Sequence, residues 1–264
     1  MIPIGDSPRS RSTPFVTMAL IAANLAVLLW VMVLDSQVPS SRAEAVRVQR
    51  ELATGTCYGF VPAPTDIDAF YCRWSFQPEE WFDAARGESK AQEPRRLEVL
   101  LSILTSTFLH AGWIHLIGNM LFLWVFGDNV EDRLGHLRYL VFYLAGGVVA
   151  ALAQGLVEPS SVVPVVGASG AVAAVLGAYL VLYPKARVTV LVPLLLFLPL
   201  PVPGVVMIGL WFVQNLLSGV ASLSPAAPNS GVAFFAHIGG FVFGALLVWL
   251  FALGRPRRAE RGGR

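Results

Sequence analysis

Apolar residues run through this chain in long stretches separated by polar punctuation. A helix needs about 20 apolar residues to cross the hydrocarbon core of a bilayer. Six stretches approach that length: Pro14–Leu34, Gly112–Gly127 with Val99–Leu109 as its upstream extension, Tyr139–Val157, Val166–Tyr183, Gly204–Leu223 and Val232–Leu253. The run Val188–Val202 is also apolar, but Pro193, Pro199, Pro201 and the following Pro203 make it an interfacial connection rather than a span. The pattern predicts an all-α polytopic membrane protein with six transmembrane helices. Its parts are a tail (1–13), a first helix (14–34), a large first loop (35–98), a core holding helices two to six (99–253) and a basic tail (254–264).

Composition excludes the soluble alternatives. Of 264 residues 55% are hydrophobic and 14% charged, against about 25% charged in an ordinary soluble domain. The 24 glycines and 18 prolines suit membrane helices, which tolerate both. The Ala43-Glu44-Ala45 tripeptide resembles a signal cleavage site, but it lies well past an apolar run too long for a signal core.

The formal charge of +2 is unevenly spread. Residues 35–98 hold eight basic and eleven acidic side chains. The tails and the turns carrying Arg133, Arg138, Lys185 and Arg187 hold eleven basic and five acidic ones. By the positive-inside rule both termini and those turns are cytoplasmic, and the 35–98 loop is outside, where a long loop escapes the rule. No basic stripe interleaved with aromatics points to nucleic acid. The outer loop holds both cysteines, Cys57 and Cys72, either as a disulfide or as two thiols. Its Phe76, Trp81 and Phe82 suit a membrane-surface segment.

Polar side chains inside apolar helices are costly without a role or a partner. His115 and Asn119 stand near the start of helix two, Ser169 near the start of helix four and His237 near the start of helix six. In this topology all three helices start at the outer surface, so the four side chains share one depth. A serine becomes a nucleophile when a base takes its proton, and His237 is the histidine at matching depth on another helix. No carboxylate lies in helices four or six to orient it, which leaves a Ser–His dyad. His115 and Asn119, spaced i,i+4, share one helix face and can donate hydrogen bonds to an oxyanion, as can the Ser169 amide at a helix N-terminus.

Each feature also has a plain structural reading. Gly167-Ala-Ser-Gly170 is a small-residue packing surface, Gly240 and Gly244 form a GxxxG step, and Gly170, Ala174 and Gly177 offer a matching face. That packing is also what brings two helices close enough for a dyad. His110 leaves the face of His115 and sits at the loop–helix junction in a structural role. There is no HExxH, no cysteine–histidine zinc spacing and no intrahelical aspartate pair, so no metal or cofactor is called for. Nor is there a repeat or a membrane-centre acid of the kind a transporter shows.

Three separated motifs closely resemble the rhomboid family of intramembrane serine proteases. They are His110-x4-His115-x3-Asn119, Gly167-x-Ser169-Gly170 and Ala236-His237-x2-Gly240-x3-Gly244. The resemblance spans roughly residues 99–250 and leaves the 35–98 loop largely outside it. It implies a six-helix bundle that cleaves transmembrane protein substrates within the lipid bilayer near its outer boundary. Ser169 matches the nucleophile, His237 the general base, His115 and Asn119 the oxyanion donors, and His110 a structural histidine. Gly167 and Gly170 flank the nucleophile, and Gly240 and Gly244 support packing.

The resemblance further implies a mobile cap near 224–231, substrate entry beside helix five and a simple bacterial type in the inner membrane. The sequence departs from the family's pattern in two places. Leu101-Ser102 stands where many members have Trp-Arg, and Ala173 stands where some have a tyrosine that stacks on the histidine. The alternative reading is a non-catalytic rhomboid-like protein that binds or escorts membrane partners.

Overall fold

A computed structural model of the chain describes residues 1–7, 10–36, 66–88, 95–192, 198–224 and 231–254. These residues are mostly helical. The elements in order are strand β1 (Ile2–Ser7), α1 (Phe15–Ser36), α2 (Asp66–Trp74), α3 (Pro78–Arg86), α4 (Arg95–Thr105) with a 3-10 turn over Ser106–Phe108, and α5 (Trp113–Leu134). Then come α6 (His136–Val157), α7 (Ser169–Leu182), β2 (Arg187–Val192), β3 (Leu198–Pro203), α8 (Gly204–Ser222) and α9 (Phe234–Phe251). Each of the six expected apolar stretches holds a helix. Four of these, α1, α6, α8 and α9, are long and apolar enough to cross a membrane, and the count is five if the bent pair α4 and α5 is taken as one span. The sixth, α7, is an apolar helix of 14 residues, about 21 Å long, which is short of a 30 Å hydrocarbon core.

The core is built around α7. Every residue from Gly170 to Tyr179 is buried, as expected for a helix that is apolar all round and covered on all sides. Its most extensive partner is α9, with α6 against both. At Gly240 and Gly244 an added Cβ would come within 3.0 Å of the backbone of Gly170 and Ala174, and at Gly177 within 3.0 Å of Phe241 and Ala245. These contacts are backbone against backbone, and only glycine permits them.

Three expectations are corrected here. The chain is not all-α: β1, β2 and β3 form an antiparallel sheet in that order, so residues 1–13 include an ordered strand and the described parts of the proline-rich connection lie in β2 and β3. Pro199, Pro201 and Pro203 recur with period two, opposite Leu191, Thr189 and Arg187. The missing N–H groups therefore all fall on one edge, and β3 is an edge strand, which tolerates them. Next, Val99–Leu109 does not extend the second helix, because α4 and α5 meet at 76°. Finally, part of the 35–98 segment is folded. The bridge Phe76–Val165, the Gln77 amide donating to the Val162 carbonyl at 3.0 Å and the Tyr71 hydroxyl donating to the His110 carbonyl at 2.7 Å tie α2 and α3 to the bundle. Cys72 is buried and disulfide-bonded, whereas Cys57 lies outside the described residues, as do residues 225–230 of the expected cap and 255–264 of the basic tail.

Polar contacts seat the opposite end of the bundle. Glu131, fully buried, accepts the amides of Val16 and Thr17 at 2.9 and 2.8 Å and the Thr17 hydroxyl at 2.7 Å, capping α1 from another helix. Asp6 of β1 accepts from the Tyr179 hydroxyl and, at 3.0 Å, from the Asn129 amide. Burial pushes the Asp6 carboxyl up to about 7, with the Asp128 charge adding and the Tyr179 bond opposing.

Candidate active site

At the end of the bundle where α7 begins, a cavity of about 580 Å³ is lined by His115, Asn119, Gly167, Ser169, Gly170 and His237, among others. The three helices that the sequence reading aligned by depth do meet there. Ser169 is the first residue of α7, and His237 lies in the first turn of α9. Ser169, His115 and His237 are all partly accessible from the cavity. Glu158 is the one charged side chain among the described lining residues.

Local backbone geometry explains how the serine is presented. Gly167 has φ +118°, a region closed to most side chains, and an added Cβ would stand 2.7 Å from His115 Cε1. The imidazole of His115 therefore packs directly on this glycine. The Gly167 amide donates to the Ser106 carbonyl at 2.9 Å, and the Val172 amide donates to Ala168 at 2.9 Å, which opens the helix. The first-turn amides of α7, Ser169 included, have no partner within the helix and carry the positive end of its dipole.

His110 and Asn119 hold each other rather than standing separately. His110 is 1% exposed. Its Nε2 accepts from Asn119 Nδ2 at 3.0 Å and from the Ala168 amide at 3.5 Å, and its ring meets His115 edge-on at 5.1 Å. One Asn119 proton is thus committed to His110, which leaves the other for the cavity. His110 itself is not among the lining residues; it knots α5 to the start of α7 from behind. Gly240 and Gly244 lie deeper, in the α7–α9 contact.

Three residues escape the sequence reading. Gln154 of α6 accepts the amides of Phe235 and Ala236 at 3.1 and 3.3 Å, supplying α9 with the cap its own sequence lacks. Trp211 of α8 lays its ring 5.7 Å from that of His237 at 36°, an aromatic contact that comes from α8, where position 173 on α7 is an alanine. Asn215 of α8 meets His237 Nδ1 through Oδ1 at 2.6 Å. Its signal was present in the sequence, since Gln214-Asn215 interrupts an apolar helix just as Asn119 and His237 do.

Fold and site together define a multi-pass helical membrane protein with a serine and a histidine opening into one cavity. A Rhomboid domain model matches residues 98–254, and the chain belongs to the rhomboid family. It is 34% identical over 173 residues to Rhomboid protein 1, mitochondrial, of Saccharomyces cerevisiae, covering 62% of this chain and 46% of that one. It is 30% identical over 157 residues to the human Presenilin-associated rhomboid-like protein, mitochondrial, covering 58% and 37%. With Rhomboid-like protein 11, chloroplastic, of Arabidopsis thaliana it shares 31% over 159 residues, covering 56% and 51%. The matched part is about half or less of each relative's length.

These relatives correct the expectation of a bacterial inner membrane, because they are named for mitochondria and chloroplasts. The bacterial expectation came from the resemblance to a simple family type, and nothing in the residues could check it, because charge asymmetry reports the side of a membrane and not which membrane.

Proposed function

We propose that the chain is an intramembrane serine endopeptidase acting on transmembrane protein substrates near a boundary of the bilayer. The observation that carries this reading is the opening of Ser169 and His237 into one cavity from two helices in backbone contact. His237 Nε2 takes the Ser169 hydroxyl proton as Oγ bonds to the scissile carbonyl carbon. The oxyanion so formed accepts from His115, the second Asn119 proton and the Ser169 amide, donors typically worth about 3 kcal/mol each in the transition state. As the C–N bond breaks, the leaving amine takes the proton from His237. Water then attacks the acyl-enzyme through the same base and releases the acid and free Ser169. The partly accessible position of Ser169 supports water entry.

The test is cleavage of a reporter transmembrane segment in liposomes by the wild type, Ser169→Ala and His237→Ala. The reading expects cutting by the wild type and a loss of roughly 10³-fold or more in both variants. A folded wild type that binds reporters without cutting them, and binds equally as Ser169→Ala, would establish the non-catalytic binder instead.

A further inference from the structure

We infer that Asn215 is a positioning residue for His237, selecting the tautomer in which Nδ1 carries the proton and Nε2 the lone pair. The inference rests on the proposed role of His237 as the base.

The assignment follows from which atoms can only accept. Asn215 is 6% exposed, and its Nδ2 donates to the Trp211 carbonyl of the preceding turn at 2.8 Å. A carbonyl has no proton to give, so the amide nitrogen must face Trp211 and Oδ1 must face His237. Oδ1 is also only an acceptor, so the 2.6 Å contact requires Nδ1 to be the donor. A neutral imidazole has a single N–H, and placing it on Nδ1 leaves Nε2 free to take a proton. Nε2 is also the nitrogen turned away from α8.

The same helix fixes the ring plane through the Trp211 face contact. Edge and face of the imidazole are thus both held from α8, while its backbone is held by α7 and capped by Gln154. Asn215 is not among the residues lining the cavity, so it acts through His237 and not on substrate. No carboxylate is needed to orient the base. A neutral amide does so, and it avoids the cost of burying a second charge in an apolar bundle.

The test uses the full chain in nanodiscs, with 15N-labelled histidine, at a pH where His237 is neutral. Long-range 1H–15N spectra are expected to report His237 as the Nδ1–H tautomer in the wild type. In Asn215→Leu, which keeps the volume and removes the acceptor, a mixture with Nε2–H is expected. Reporter cleavage should fall by about 100-fold in kcat with KM within about threefold. Asn215→Asp, which restores an acceptor at the same reach, should recover all but about tenfold of it.

A purely structural role predicts loss in step with thermal stability, a worse Asp than Leu variant, and an unchanged tautomer; that pattern overturns the proposal. So does an Nε2–H wild type, which settles the matter even if Asn215→Leu does not fold. A wild type that cleaves as Nε2–H leaves the protease reading standing without this proposal. A wild type that holds Nδ1–H but never cleaves keeps the tautomer assignment and removes the protease reading.

Discussion

Two of the neighbours of helix α9, α7 and α8, hold it in opposite ways. Against α7 the contact is backbone on backbone, at Gly177, Gly240 and Gly244, with no room for a methyl group. Against α8 it is made by side chains: Phe212 stacks on Phe241 at 4.4 Å, Trp211 covers His237, and Asn215 bonds it. The far side of α8 leaves Leu217 and Val220 exposed, as expected for a lipid-facing helix. The first contact sets how far Ser169 lies from His237 and cannot be adjusted. The second sets which way the imidazole faces, and rotamers can change it.

That difference predicts an order of effects. The largest belongs to Gly244→Val, because its Cβ meets the Ala174 backbone, which cannot yield. Overpacking usually costs about 1–3 kcal/mol, and this site belongs at or above that limit. Thermal unfolding in detergent should show the loss, with cleavage abolished. Gln154→Leu strands two α9 amides and should cost about 1–3 kcal/mol; hydrogen exchange should rise first at Phe235 and Ala236. Trp211→Ala removes an aromatic face worth about 0.5–1.5 kcal/mol. It should slow cleavage by up to about tenfold with a smaller fall in thermal stability than either variant above, and a larger fall would erase the distinction between the two neighbours.

The smallest effect on cleavage, none, belongs to the far end of the bundle. Asp6 titrates near 7 when folded, against about 3.9 unfolded. The fold therefore favours its neutral form, and stability should decline as pH rises from about 4 to about 7 and then level off. Asp6→Asn should flatten that decline in a pH series of melting temperatures while leaving reporter cleavage unchanged.

Much of the site is legible in the sequence because its residues break a rule. Asn119, Ser169 and His237 are polar within apolar stretches, and each lines the cavity. Asn215 breaks the same rule, yet nothing local shows that helix α8 turns it toward His237 rather than toward α6 or lipid. The stacking partner is displaced as well: sequence reading looks for it at Ala173, and the structure supplies it from Trp211 on a different helix. The sheet is hidden for a different reason. Its pairing joins residues 2–7 to 187–191 across most of the chain, and prolines mask the third strand. Run lengths locate the helices, α7 among them, but not that α7 is only 14 residues long and buried from Gly170 to Tyr179.

The most direct test of the central claim, that Ser169 is a nucleophile activated by His237, is reaction of the full chain in liposomes with a fluorophosphonate. Adducts would be mapped by mass spectrometry. The account predicts a single adduct on Ser169, none in Ser169→Ala, and labelling slowed by at least about 100-fold in His237→Ala. A folded protein with no adduct at Ser169, or one labelled equally fast without His237, would contradict it.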